Sequence, residues 1–148
     1  MIGEELRILR MRLHMTQTEA GSFLGIYRGK PNGVSLRTWQ GWEWGHQGIP
    51  DEVIENIRKA NHWLDGIEEQ ILNFAQGGEV KMPYYKSQED WVLPGREKWE
   101  YKPYQAALAK AVLYHHLHLV PFDKEKYGEW LGERNDSELE RITWSQTQ

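Results

Sequence analysis

Four side chains capable of directional hydrogen bonding lie close together between residues 35 and 40: Ser35, Arg37, Thr38 and Gln40. An arginine guanidinium can donate two parallel hydrogen bonds to the major-groove edge of guanine, and a glutamine amide can pair in the same way with adenine. Short hydroxyl side chains suit phosphate oxygens, particularly at the beginning of a helix. This spacing favours recognition of nucleic acid, provided that one helix presents these side chains together.

A histidine cluster, His115-His116-x-His118, is the pattern in this chain that most resembles a metal site. On a helix, His115 and His118 would share a face, whereas adjacent histidines point about 100° apart. No cysteine or carboxylate lies close enough in sequence to complete a set of ligands. The cluster therefore indicates a plain surface or an interface rather than a metal centre.

Signatures of catalysis are missing from the sequence. It contains no GxGxxG, Walker, HExxH or GxSxG motif, and it has no cysteine, which excludes disulfides and thiolate chemistry. Its apolar runs are too short to span a membrane, and its acidic, helix-like beginning does not resemble a secretory signal. These observations predict a cytoplasmic protein that is not an enzyme, with no catalytic residue, metal or cofactor.

Charge is distributed unevenly along the 148 residues, whose formal net charge is −4. Residues 1–46 carry six Lys and Arg against four Asp and Glu, whereas residues 47–77 carry two against six. Residues 119–148 are also acidic, with four basic and seven acidic side chains. A mildly basic head on an acidic body can still bind DNA through one face, with fewer phosphate contacts than a basic protein makes.

Two short helices are predicted before the polar cluster. Gly3 to Leu13 shows the spacing of an amphipathic helix. Thr16 and Glu19 form a capping box for a second helix, from Gln17 to Leu24, which Gly25 ends. Residues 26–33 read as a loop, which either touches a DNA backbone or is a surface insertion.

A third helix is predicted from Ser35, its N-cap, to about Trp44, and it completes a helix-turn-helix pattern. At 100° per residue, Trp39 and Trp42 share an inner face and are predicted to be core residues. The outer face carries Arg37, Gln40, Gly41 and Trp44. Gly41 would remove bulk where a backbone could come close. Trp44 either packs on a neighbouring segment or contacts a DNA sugar or phosphate.

A fourth, long helix is predicted from Pro50 to Gln76, with Pro in its first position and acids in its first turn. Its apolar residues alternate steps of four and three, which is the spacing of a heptad seam. The seam consists of Val53, Ile57, Ala60, Leu64, Ile67, Ile71 and Phe74. It packs either within the same chain or against a second copy.

The remaining residues predict a small mixed segment and an acidic tail. Val80 to Lys86 reads as a strand and Trp99 to Tyr101 as a second strand, followed by a helix from Tyr104 to Leu117. Residues 119–148 are predicted to form two short helices, one of them capped by Ser137.

These residues together resemble a known class of regulators. Residues 3–25 and 34–53 look like a helix-turn-helix of the phage-repressor class. The stretch Ser35-x-x-x-Trp39-x-x-Trp42-Glu43-x-Gly45, followed by Ile49-Pro50-Asp51, is similar to YdiL-like regulators and to the anti-CRISPR-associated regulators related to them. The resemblance continues through the long helix, Met82-Pro83-Tyr84-Tyr85 and the Ala-rich helix, to about residue 118. Two features depart from the pattern. The loop from Gly25 to Val34, between the second and third helices, is longer than the usual two or three residues, and the tail after residue 118 has no counterpart.

The resemblance implies a homodimeric, sequence-specific DNA-binding protein that often represses its own operon. Helix 35–44 would read the major groove, and the C-terminal segment would form the dimer. The match places Ser35, Arg37, Thr38 and Gln40 at reading positions and Gln17 at a phosphate position. With Gly41, these are the expected DNA-binding residues.

We therefore predict a mostly α fold with an N-terminal helix-turn-helix bundle over residues 1–76, which includes the long helix. A small α+β dimerisation segment over residues 77–118 and an acidic C-terminal extension over residues 119–148 follow. The predicted function is a dimeric repressor bound to a double-stranded DNA operator, with no membrane association.

Two alternatives remain open at this point. An antitoxin-like protein would join a similar DNA-binding head to a segment that binds a protein partner, and the tail with Trp130 and Trp144 could be that segment. A helix-turn-helix face can also bind a structured RNA stem, although nothing in the sequence selects for RNA.

Overall fold

The computed structural model describes all residues, Met1–Gln148. It contains eight α-helices, one 3-10 helix and two strands. The elements are α1 (Gly3–Arg12), α2 (Gln17–Phe23), α3 (Leu36–Glu43), α4 (Asp51–Ala75), β1 (Val80–Tyr84), α5 (Gln88–Trp91), a 3-10 helix (Lys98–Glu100), α6 (Tyr101–Tyr114), β2 (Leu117–Pro121), α7 (Lys124–Leu131) and α8 (Glu138–Gln146). The fold is mostly α with a small α+β part, which confirms the predicted class.

The chain forms two compact units, Met1–Ile67 and Glu68–Gln148, and the boundary between them falls within α4. None of the helices combines the length and the apolar character that crossing a lipid bilayer requires.

Side-chain caps begin the short helices at the predicted positions. The Thr16 hydroxyl accepts a hydrogen bond from the Glu19 backbone N–H at 3.1 Å, and the Glu19 carboxylate accepts one from the Thr16 N–H at 3.0 Å. Ser35 caps α3, and Ser137 caps α8. The capping box and both serine caps are therefore confirmed.

The core of the first unit surrounds α3, which packs against α1 and α2. A Cβ atom on Gly3 would lie 2.2 Å from the Glu43 carbonyl oxygen, so only glycine allows α1 to approach the end of α3 this closely. The buried apolar side chains of this unit include Leu6, Leu13, Ala20, Leu24, Trp39, Trp42, Val53, Ile57 and Leu64. Trp39 and Trp42 are 0% and 2% exposed, which confirms that they are core residues.

The heptad seam of α4 packs within the chain, and its buried positions extend as far as Ile71, which is 5% exposed. Val53, Ile57, Ala60 and Leu64 are all buried in the first unit. Phe74, at the other end of the seam, is 38% exposed. The first four seam positions therefore belong to the core of the first unit.

A two-stranded parallel sheet organises the second unit. In its register, Val80 pairs with Leu117 and Tyr84 with Pro121. Parallel strands need a crossover connection, which α5, the 3-10 helix and α6 provide between β1 and β2. α8 lies beside β1, where the Ser145 hydroxyl donates to the Lys81 carbonyl oxygen at 3.2 Å.

Two predictions of secondary structure are wrong in this unit. Trp99–Tyr101 is not a strand, because the chain forms a 3-10 turn here that leads directly into α6. The Tyr101 hydroxyl donates to the Tyr85 carbonyl oxygen at 2.9 Å, so this aromatic residue anchors a helix. The helix predicted to end at Leu117 ends at Tyr114, because the backbone becomes extended at His115 and Leu117 joins the sheet.

The last thirty residues pack into the second unit rather than extending from it. β2 includes residues 119–121, and α7 and α8 are the two short helices predicted for the tail. Tyr127 and Trp144 are buried. Arg141 is only 6% exposed, lies 4.6 Å from the Phe122 ring centroid, and donates to both carboxylate oxygens of Asp136.

Candidate nucleic-acid interface

Short-range hydrogen bonds fix both ends of α3. The Ser35 hydroxyl accepts a hydrogen bond from the Thr38 backbone N–H at 3.3 Å and shares another with the Thr38 hydroxyl. At the other end, Gly45 has φ +77° and its N–H donates to the Trp42 carbonyl oxygen. The His46 N–H donates to the Gly41 carbonyl oxygen. This pair of bonds is the Schellman arrangement, which glycine favours because it adopts positive φ without strain. The helix is therefore a defined, short rod.

The predicted outer face of α3 is accessible at its beginning. Arg37 and Ser35 are exposed, and Thr38 and Gln40 are half-buried. Arg37 is held by no ion pair within the chain, so its guanidinium is available to a ligand. Side chains at the beginning of a helix are those that reach base edges when a helix-turn-helix docks.

A chain of hydrogen bonds joins the outer face of α3 to the interior of the first unit. The Gln40 amide nitrogen donates to the Gln17 amide oxygen at 3.1 Å. The Gln17 amide nitrogen donates in turn to the Glu43 carboxylate at 2.6 Å. The two glutamines that the sequence assigns to DNA, one on α2 and one on α3, are thus brought together and share a buried anchor.

Glu43 is 5% exposed and accepts hydrogen bonds from three elements. In addition to Gln17 on α2, Arg10 on α1 donates at 2.5 and 3.3 Å, and the Trp39 indole N–H donates at 2.8 Å. Burial disfavours the ionised carboxyl and by itself would raise its pKa. The hydrogen bonds and the adjacent Arg10 charge outweigh burial, so the pKa of Glu43 lies below its ordinary value of 4.5. At neutral pH the group is a carboxylate that only accepts hydrogen bonds.

Gly41 is placed differently from the expectation that it leaves room for a DNA backbone. Gly41 is buried, and a Cβ atom there would lie 2.5 Å from the Gln47 side-chain nitrogen. The chain after the Schellman turn folds back along α3, so the space beside Gly41 is occupied by this protein's own Gln47. A larger residue at position 41 would require the exposed Gln47 side chain to move.

Arg10 and Glu43 are the residues of this site that the sequence reasoning did not assign a role. The signal was present, because Arg10 stands among the apolar residues Leu6, Leu9 and Leu13 of the first helix, and Glu43 falls near the inner face of the third. Opposite charges on two apolar faces indicate a buried pair, since an unpaired charge would be costly there.

The loop over residues 26–33 is ordered by contacts within the first unit. Tyr27 and Lys30 form an antiparallel bridge, and the Tyr27 ring lies edge-on to Trp42 at 5.8 Å. The Asn56 side chain of α4 donates to the carbonyl oxygens of Leu24 and Ile26. Arg28 and Lys30 are exposed.

The histidine cluster does not lie on one helix. His115 is the C-cap of α6, and His118 lies in β2. His115 and His118 therefore do not share a helical face, because α6 ends before them. No group of three His, Asp or Glu side chains in the described chain has the geometry of a metal site.

Comparison with known proteins links this geometry to a family. The family described as Aca2/YdiL-like matches residues 1–119. A curated relative, the "Aca2 repressor" of Pectobacterium phage ZF40, is 27% identical over 93 residues, which are 62% of this chain and 74% of the relative.

Proposed function

The chain belongs to the Aca2/YdiL-like family, and from that premise we propose that it is a sequence-specific DNA-binding transcriptional regulator. In this proposal the protein acts in the cytoplasm as a homodimeric repressor, and its own gene is among those it represses. The α3 helix of each protomer enters the major groove of one half-site. The similarity to a protein named a repressor supports the regulatory role.

The observation that carries the proposal is the chain of hydrogen bonds from Gln40 through Gln17 to Glu43. Because the Glu43 carboxylate only accepts, Gln17 must present its amide nitrogen to it and its oxygen to Gln40. Gln40 must then donate to Gln17, which leaves its oxygen and its second N–H free. These are the two groups that pair with N6 and N7 of adenine. A buried charge thus pre-orients a surface amide for one base.

Arg37 complements this amide on the same face. Its exposed guanidinium can pair with guanine at a neighbouring position. The hydroxyls of Ser35 and Thr38 lie at the N-terminal turn of α3, where a phosphate is also favoured. The other exposed cations between α2 and α3 are Arg28 and Lys30, so we expect few phosphate contacts and a modest dependence on salt.

The dimer is proposed to form through the second unit. β2 pairs with β1 on one side, and no strand of the chain pairs with its other edge. At the end of α6, just before β2, Leu113 and Tyr114 are 72% and 70% exposed. An open strand edge beside exposed apolar side chains suits pairing with a second copy.

Dimerisation is tested by light scattering with size-exclusion chromatography. Leu113→Asp should shift the protein toward the monomer mass, whereas Leu139→Asp, at a position that is 74% exposed on α8, should leave the mass of the parent. A dimer that persists in the first variant would locate the interface elsewhere.

DNA binding is tested by gel shift on the duplex immediately upstream of the chain's own gene, with a scrambled duplex of equal length as control. The proposal expects selective binding that weakens as salt rises, and the slope against log salt gives the number of phosphate contacts. Equal, weak binding to both duplexes would contradict autoregulation at that site. A screen of random duplexes would then decide whether any DNA sequence is preferred.

The protein-binding alternative has less support from the packing of the tail. A segment that wraps a partner must present its apolar side chains, yet Trp144 is 2% exposed and contacts Phe122 and Tyr127. Trp130 lies against Tyr127 and under the Arg134 guanidinium. We therefore do not propose the antitoxin role.

A further inference from the structure

Trp44 is a large aromatic side chain that the first unit leaves in solvent. It is 63% exposed, whereas Trp39 and Trp42 in the same helix region are buried. Its ring neighbour is His46, with centroids 5.9 Å apart. The exposed indole leaves a large apolar face and an N–H donor accessible to a second molecule.

The backbone holds Trp44 in a defined position. Trp44 is the C-cap residue of α3, and its backbone N–H donates to the Gln40 carbonyl oxygen at 2.9 Å. Gly45 at φ +77° then turns the chain back, and the His46 N–H donates to Gly41 at 2.8 Å. The side chain therefore leaves the helix at a fixed point, and its exposure is not a consequence of a loose terminus.

That point lies in line with the proposed base-reading residues. Seven residues at 100° each bring Trp44 within about 20° of Arg37 around the helix and about 10 Å further along its axis. The major groove is about 12 Å wide. When Arg37 contacts base edges inside the groove, Trp44 lies close to the rim, where sugars and phosphates line the strand.

We propose that Trp44 is a DNA backbone contact. One face of its indole ring packs against deoxyribose, and the indole N–H donates to a phosphate oxygen. This inference rests on the proposed docking of α3 in the major groove. A contact of this kind reads no base and neutralises no charge, so it strengthens binding to any duplex sequence without changing the salt dependence.

The test measures binding of the full-length parent, Trp44→Ala, Trp44→Phe and Leu139→Ala to the upstream duplex and to the scrambled duplex over a range of salt concentrations. Trp44→Ala should weaken both affinities by the same factor, roughly ten- to thirtyfold from the apolar area lost. The slope of log affinity against log salt concentration should not change. Trp44→Phe keeps an aromatic packing face but lacks the indole N–H, so its affinity should lie between those of the parent and Trp44→Ala. Leu139→Ala should bind as the parent does.

Acrylamide quenching provides a second readout that does not depend on the affinity of a variant. The difference in quenching between the parent and Trp44→Phe isolates the accessible Trp44 signal, and bound duplex should protect it. Circular dichroism checks that both Trp44 variants are folded, which their exposed position predicts.

The outcomes separate this inference from the proposed function. A selective parent with a Trp44→Ala variant of equal affinity would overturn the backbone contact and leave the regulator proposal intact. A Trp44→Ala variant that loses affinity for the upstream duplex alone would also overturn the backbone contact, because such selectivity would require a contact to a base. A parent that binds no duplex selectively would overturn the proposed function and this inference with it.

Discussion

Replacing Glu43 by glutamine tests the buried anchor of the proposed DNA-binding face. The substitution keeps the size of the side chain and removes its charge. The Arg10 side chain is 11% exposed and that of Glu43 is 1% exposed, so the guanidinium would lose its counter-ion where water cannot replace it. Breaking a buried ion pair on one side costs about 3 kcal/mol or more. With a urea slope of about 1.5 kcal/mol per M, the unfolding midpoint of the first unit should fall by about 2 M.

The matched control is Asp65→Asn, which removes the carboxylate of the exposed pair between Arg12 and Asp65 in the same unit. Exposed pairs contribute about 0–1 kcal/mol, so its midpoint should stay near that of the parent. Unfolding is followed by circular dichroism in urea. Equal midpoints for the two variants would refute the reasoning that the Arg10–Glu43 pair is a buried stabilising contact.

The pH dependence of this variant has a defined sign. The pKa of Glu43 is lowered in the folded protein, so its carboxylate stabilises the fold above the ordinary value of 4.5. This contribution is lost as the pH falls through the lowered pKa. The difference in unfolding free energy between parent and Glu43→Gln should therefore be largest at neutral pH and shrink in acid. A difference that stays constant from pH 7 to pH 3 would contradict this linkage.

Three other substitutions test other parts of the argument. Arg37→Ala should cost roughly 1–3 kcal/mol of operator binding and relax specificity at one base pair, as gel shifts on single-base variants of the duplex would show; unchanged selectivity would remove Arg37 from the reading face. Trp39→Ala should destabilise the first unit by roughly 3–5 kcal/mol in urea unfolding, because Trp39 is fully buried; a variant that stays as stable and loses only DNA binding would refute the core assignment. Gly3→Ala should also destabilise, because its Cβ meets backbone atoms of Trp42 and Glu43 that have little room to move, whereas Gly48→Ala, with open space around it, should not.

Local signals in the sequence predicted the first unit well. The Thr16 and Ser35 caps, the glycine after α3 and the heptad spacing of α4 each involve residues within a few positions of one another. Such hydrogen bonds and faces form from the local chain alone, so their residues can be read without knowing the fold.

The second unit was harder to predict, because its elements depend on distant partners. His116-Leu117-His118-Leu119 alternates as a strand does, but it follows an Ala-rich stretch that favours helix. The strand forms because Leu117 pairs with Val80, 37 positions earlier. Trp99 and Tyr101 have side chains that favour strands, yet both lie in helical turns, where Tyr101 contacts Tyr85 and Trp91.

The sequence by itself determined the helical periods, the caps and the inward orientation of Trp39 and Trp42, since each follows from the geometry of a single helix. Only the tertiary structure decided that Arg10 and Glu43 meet, that Gln17 bridges Glu43 to Gln40, and that Gly41 lies under Gln47. These contacts join residues on different segments. Their formation depends on how the helices pack, and helix packing is a property of the whole core that no local pattern encodes.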